Sequence, residues 1–275
     1  MAVRFTIRVA HEEGGYALQA AAAAFRELGE LERRLSRFVQ GSDVWRINRL
    51  RRGEAAVVTL DTLRCLMEAE EIRRQTGGAF DATYASTPGS LPAERLELTL
   101  CGCTVRVLAE GVRVDLGGIG KGYALDRMAA VLREWDVAVG LLGAGTSTIL
   151  ALNALPDEAG WPVTFGPDHD LRRAALADAA FSGSGIAVRG SHIVDPRTGE
   201  PAGGRVQAWS RARTAAAADA LSTAFMVMRR EEIARLCRGR GDVRAYLLDA
   251  PEGALCSLPE APRRRDTEET TRGTT

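Results

Sequence analysis

Residues 112–126, Val-Arg-Val-Asp-Leu-Gly-Gly-Ile-Gly-Lys-Gly-Tyr-Ala-Leu-Asp, constrain this chain more than any other stretch. Val112, Val114 and Leu116 alternate with polar neighbours, which predicts the end of a half-buried strand. Gly117, Gly118, Gly120 and Gly122 follow. Tyr123 to Glu134 then reads as a helix with Ala124, Met128, Val131 and Leu132 on one face. A strand, a glycine-rich turn and a helix in that order let main-chain groups approach a phosphate, because no Cβ intervenes and positive φ costs little. The same turn also serves as a plain connector. It is not a P-loop, since no Ser or Thr follows the lysine, and its glycines do not have the spacing of a dinucleotide fingerprint. Asp115 and Lys121 flank the turn, and Lys121 is the single lysine of the sequence.

The rest of the chain has to supply a core for that turn. Its 275 residues are 45% hydrophobic, enough for one large domain or two intimate ones. Formal net charge is zero and arginines are interspersed with acids, so nothing suggests a nucleic-acid surface. Aromatic residues, at 5%, are too few for single-strand stacking platforms. No apolar run approaches a membrane span, and Met1 opens directly into the alternating Val3, Phe5, Ile7 and Val9 of a strand, without a secretory signal. Five cysteines, Cys65, Cys101, Cys103, Cys237 and Cys256, read as free thiols of a reducing compartment, so a cytoplasmic location is expected. Cys101 and Cys103 would face one side of a strand as core positions, and only three histidines are present, which argues against a zinc cluster.

Along the chain, residues 16–37 read as an amphipathic helix with Leu18, Ala22, Phe25, Leu28, Leu31 and Leu35 on its apolar face. Residues 61–75 read as another, with Asp61 as a possible cap. Leu96–Leu100 and Thr104–Val107 suggest a hairpin around Gly102. Strands are predicted over 137–142, 148–152, 161–165, 191–194, 206–210 and 243–248, and helices over 214–228 and 231–238. Residues 172–180 are ambiguous, and Ser182-Gly-Ser-Gly185 reads as a turn. Hairpins outnumber βαβ units, so the expected class is α+β, with mixed, largely antiparallel sheets and flanking helices. A single domain over 1–261 and a disordered tail over 262–275 complete the organisation.

Three further clusters pair polar groups with special backbone. Asp219 and Thr223 lie four apart, so on a helix both project from one face as hard oxygen ligands suited to Mg²⁺. Alternatively they are a helix-surface acid and a threonine bonded back to its own helix. His192-Ile-Val-Asp-Pro196 offers a general base or phosphate contact, or simply a histidine at a strand start. Gly77-Gly-Ala-Phe-Asp81 delivers an aromatic and a carboxylate together, or places Phe80 in the core and uses Asp81 as a cap.

These segments together resemble the ApbE family of FAD:protein FMN transferases. Asp115 to Asp126 matches its D-L-G-G-I-A-K-G-Y-A-x-D, with Gly120 for Ala. Gly78 to Asp81 matches G-A-F-D, His192 to Gly199 matches H-I-I-D-P-R-T-G with Val194 for Ile, and Asp219 to Ala224 matches D-A-L-S-T-A. Ser36-Arg-Phe and Ser42 to Asn48 resemble its S-R-Y and S-E-x-S-R-I-N. Order and spacing agree over residues 1 to about 250. The resemblance implies an ApbE-like, T-fold-like architecture and an enzyme that uses Mg²⁺ to cut FAD, moves FMN to a threonine of an acceptor flavoprotein and releases AMP. An FAD pyrophosphatase and a non-catalytic FAD-binding protein are the competing readings. Carried over by position, the side chains of Asp219 and Thr223 and the carbonyls of Gly118 and Ser222 would ligate Mg²⁺. Met1, Ala79, Phe80, Asp81, Asp115, Lys121 and Ile193 would contact FAD, and His192 would be the base. The chain departs from the family at Gly143-Ala-Gly-Thr-Ser147, where N-A-G-G-D or N-A-G-G-N is usual, and at Trp45, where a small residue is usual.

Overall fold

In the computed structural model, which describes residues 3–86, 95–185 and 193–259, the first half runs β1 (Phe5–Val9), α1 (Gly14–Leu35), α2 (Asp43–Ile47), β2 (Ala55–Val57), α3 (Leu60–Gln75), β3 (Leu96–Thr99), β4 (Thr104–Val107) and α4 (Gly120–Glu134). The second half runs β5 (Gly140–Ala144), β6 (Thr148–Ala151), β7 (Trp161–Phe165), β8 (Arg172–Leu176), β9 (Ala179–Gly185), β10 (Gln207–Ala212), α5 (Ala215–Phe225), α6 (Arg230–Gly239), β11 (Arg244–Leu248) and β12 (Cys256–Leu258). The seven-stranded sheet has the order β1-β5-β6-β9-β10-β11-β12, a three-stranded sheet has β2-β4-β3, and β7 pairs with β8. Every named strand pair is antiparallel, as in the expected α+β class.

The most apolar helix is the centre of the molecule. In α5 only Thr223 escapes full burial, as befits a helix that is apolar all round. It lies on β9 and β10, with α4 and α3 packed against it and α1 outside α4. Its alanines let those neighbours approach closely. A Cβ at Gly122 would stand 2.1 Å from the Ala215 carbonyl oxygen, so only glycine permits the α4–α5 crossing. Asp126, one turn further along α4, accepts the Ala215 and Ala216 amides at 2.8 Å each and caps α5 from outside, beside the Thr214 N-cap. Burial pushes the Asp126 carboxyl up to about 7, against the opposing pull of those two amides.

Several expectations change. Residues 112–116 are extended but belong to no sheet. The Asn48 side chain takes both main-chain groups of Val114, at 2.6 and 2.9 Å, and Ala82 O accepts the Asp115 amide, so the alternation persists without a strand partner. Ser182-Gly-Ser-Gly185 is strand rather than turn, since Gly183 lies against the Trp209 ring, where a Cβ would come within 2.7 Å. The ambiguous residues 172–180 divide between β8 and β9. Thr59, not Asp61, caps α3, and Asp61 instead pairs with Arg34 and Arg127. Leu18 is 74% exposed, because Ala17, Ala20 and Ala24 form the α1 face that approaches α4. Cys101 and Cys103 sit at the turn of the β3–β4 hairpin, with Cys101 exposed, so they are not paired core positions. The tail over 262–275 lies outside the described residues.

Candidate active site

Asp219 projects from the middle of α5 and is only 2% exposed. A buried carboxylate has to be compensated, and here α4, β6 and β9 contribute. Lys121 Nζ from α4 lies 2.9 and 3.1 Å from its two oxygens. The Gly122 amide donates to Oδ2 at 3.2 Å, and the Thr148 and Ser182 hydroxyls donate to Oδ1 at 3.3 and 3.4 Å. One turn along, Thr223 Oγ1 donates to Asp219 O at 3.2 Å and lies 3.3 Å from Ser184 Oγ.

The glycine bend meets this face directly. A Cβ at Gly118 would stand 3.1 Å from the Phe80 ring and 3.5 Å from Thr223 Oγ1. Gly118 and Lys121 on one stretch thus converge with Asp219 and Thr223 on another, distant in sequence. None of the bend glycines has positive φ; Gly122 is needed for proximity, and at Gly118 a Cβ would crowd the Phe80 ring. Nor is the start of α4 an open anion cradle, since the Gly120 amide bonds Leu116 O at 2.7 Å and the Gly122 amide is taken by Asp219.

At the end of α5 the Met226 amide bonds Thr223 O at 3.1 Å, not the Ser222 carbonyl that a regular turn would use. Arg205 caps the turn by donating to the Phe225 and Met228 carbonyls. The Ser222 hydroxyl bonds Asp219 O and Ser184 Oγ, each at 2.9 Å.

Asp115 sits at the outer end of the bend. Its carboxylate pairs with Arg37 at 3.0 Å, accepts the Tyr84 hydroxyl at 3.2 Å and takes the Gly117 amide at 2.8 Å. Burial and the Asp115 charge push the Tyr84 hydroxyl up. Phe38, 81% exposed, stands beside Arg37, Asn48 and Val114 around an open groove of about 650 Å³. Asn48 is set by α2, whose buried Asp43 accepts the Thr59 amide and hydroxyl and the Thr62 hydroxyl. Burial acts to raise the Asp43 carboxyl, but these bonds outweigh it and hold it below the usual range.

Ala79 and Phe80 are buried, with Phe80 backing Gly118. Asp81 accepts the Thr83 amide at 2.7 Å and pairs with Arg95 at 3.0 Å; it closes a turn over 82–85 and caps no helix. Ile193 is buried and its carbonyl accepts the Ala202 amide at 2.7 Å. His192 and Met1 lie outside the described residues. The hydroxyls of Thr148, Ser182 and Ser184 were missed as site residues; the period-two Ser-Gly-Ser could have signalled a strand with one hydroxyl face.

The side-chain oxygens beside Gly118, the Asp219 carboxylate and the Thr223 hydroxyl, are hard donors of the kind a divalent cation such as Mg²⁺ takes. A buried carboxylate ringed by an ammonium and hydroxyls, on an antiparallel α+β frame, defines a candidate site for a charged ligand. The sequence model of the ApbE family matches residues 1–247, and the chain belongs to that family. It is 31% identical to the FAD:protein FMN transferase of Rhodobacter capsulatus over 192 residues, 66% of this chain but 36% of that protein. The counterpart from Vibrio cholerae is 28% identical over 243 residues, covering 75% of this chain and 72% of that one. The fold matches the solved flavin transferase ApbE from Vibrio cholerae with a TM-score of 0.79 over 94% of both chains, at 22% identity.

Proposed function

We propose that this protein is a Mg²⁺-dependent FAD:protein FMN transferase that moves FMN from FAD onto a threonine hydroxyl of an acceptor flavoprotein and releases AMP. Family membership supports the reading, and the observation that carries it is the convergence of Gly118, Lys121, Asp219 and Thr223. The side chains of Asp219 and Thr223 and the carbonyls of Gly118 and Ser222 would hold Mg²⁺, which when bound neutralises charge developing on the phosphates.

The chain's own residues do the positioning on which phosphoryl-type transfer depends. Lys121 offers its ammonium to the diphosphate. Asp115, held by Arg37 and Tyr84, gives a fixed polar corner, and Phe38 gives an exposed ring face for a flat ligand ring. Ala79, Phe80 and Ile193 are buried and would back the FAD site, and Asp81 and Met1 complete the proposed set. In the transfer the threonine oxygen bonds to the FMN phosphorus while the bond to the AMP oxygen breaks. The hydroxyl proton passes to a base, for which His192 is proposed, and AMP leaves with the electron pair.

All five cysteines are free, which supports a reducing compartment such as the cytoplasm. Among the described residues no helix is long and apolar enough to cross a membrane.

Incubation with FAD, Mg²⁺ and candidate acceptor flavoproteins tests the reading, by chromatography for AMP and gel fluorescence for covalent flavin. Both products should appear, and neither with Asp219→Ala. Free FMN and AMP without an acceptor would make water the nucleophile, and intact bound FAD would make the protein a flavin binder.

A further inference from the structure

Lys121 occupies the carboxylate that the proposed metal site depends on, and from this we infer that it is a tethered counter-cation that makes metal binding conditional on a diphosphate. The inference rests on the metal reading given under Proposed function. Asp219 Oδ1 already accepts Lys121, Thr148 and Ser182, and Oδ2 accepts Lys121 and Gly122. The remaining oxygens, Thr223 Oγ1 and the carbonyls of Gly118 and Ser222, are neutral. Among the described residues no cluster of three or more acidic, cysteine or histidine side chains is placed to hold a metal ion. The carboxylate and the ammonium cancel, so a divalent cation entering the free protein meets no net attraction and a positive charge at contact distance.

A diphosphate changes both quantities. It brings the negative charge and additional oxygen ligands that the protein lacks. It also gives the Lys121 ammonium another partner, and the lysine stem permits the exchange: its side chain is 21% exposed, whereas that of Asp219 is 3% exposed. Ammonium and metal therefore trade places on Asp219 when the diphosphate arrives. Linkage makes the coupling reciprocal, so the metal tightens diphosphate binding by the same factor. This order keeps a buried carboxylate neutralised at every stage.

Mn²⁺ titrated into the full chain, followed by electron paramagnetic resonance, tests the exchange, with ADP as the diphosphate probe and a protein-free titration to correct for Mn²⁺–ADP in solution. In the unmodified protein ADP should lower the Mn²⁺ dissociation constant by about tenfold or more. Lys121→Met should bind Mn²⁺ about tenfold tighter without ADP and lose most of the ADP effect. Lys121→Arg, which keeps the charge, should retain the ADP effect. If Lys121→Met binds Mn²⁺ no more tightly than the unmodified protein without ADP, the inference is overturned and Lys121 merely orients Asp219. Asp219→Asn separates the two levels: Mn²⁺ binding that survives it overturns the metal reading itself, whereas loss in Asp219→Asn without tightening in Lys121→Met overturns only the exchange.

Discussion

Gly122 in α4 lies directly on the main chain of Ala215 at the start of α5, with a missing Cβ where the Ala215 carbonyl oxygen needs the space. That contact sets how far apart the two helices stand, and so where the Lys121 ammonium falls relative to Asp219.

Gly122→Ala should accordingly cost about 3 kcal/mol or more of folding stability, since backbone rather than a flexible side chain has to move. Urea unfolding checks this; a loss under about 1 kcal/mol would mean that the helices separate easily.

Asp126 ties the same two helices together and carries a pH signature. Its folded-state pKa of about 7 lies above the unfolded carboxylate value of about 3.9, so the native state holds the proton more tightly. The associated stability is present below about pH 4 and lost as pH rises towards about 7. Asp126→Asn cannot ionise, and its stability should fall less across that window, whatever constant offset the weaker cap introduces. Denaturant midpoints at several pH values measure the difference; parallel curves would contradict it.

Thr223 separates hydroxyl chemistry from packing. Thr223→Val keeps the shape but removes the oxygen that faces Gly118, and should lower flavin transfer about tenfold or more. Thr223→Ser should restore most of it. Equal losses in both variants would assign the residue to packing.

Phe38 is so exposed that its removal should leave the fold intact. Phe38→Ala is expected to raise the KM for FAD about tenfold with kcat little changed, as for lost stacking in ground and transition states alike. Steady-state kinetics with varied FAD decides the point.

What was legible in the sequence was what local pattern controls. The helices read over 61–75, 123–134 and 214–228 and the four-residue spacing of Asp219 and Thr223 depend on one element each, and they appear as α3, α4 and α5 with both side chains on one face. What was hidden depends on distant partners. Val112 to Leu116 alternates as a strand does, but its partner is the Asn48 amide. Ser182 to Gly185 has the composition of a turn, yet its glycines make room for Trp209 and Gln207 on β10. Lys121 was visible as the only lysine, but its position on Asp219 follows from a helix crossing that no local pattern encodes.

The central helix has a consequence for how such a scaffold diversifies. With alanine at most positions and a neighbour on each flank, α5 has no room for larger side chains, so it can hardly be remodelled to suit another ligand. New selectivity has to arise at the rim, around Phe38, Tyr84 and Arg37, where side chains already reach solvent.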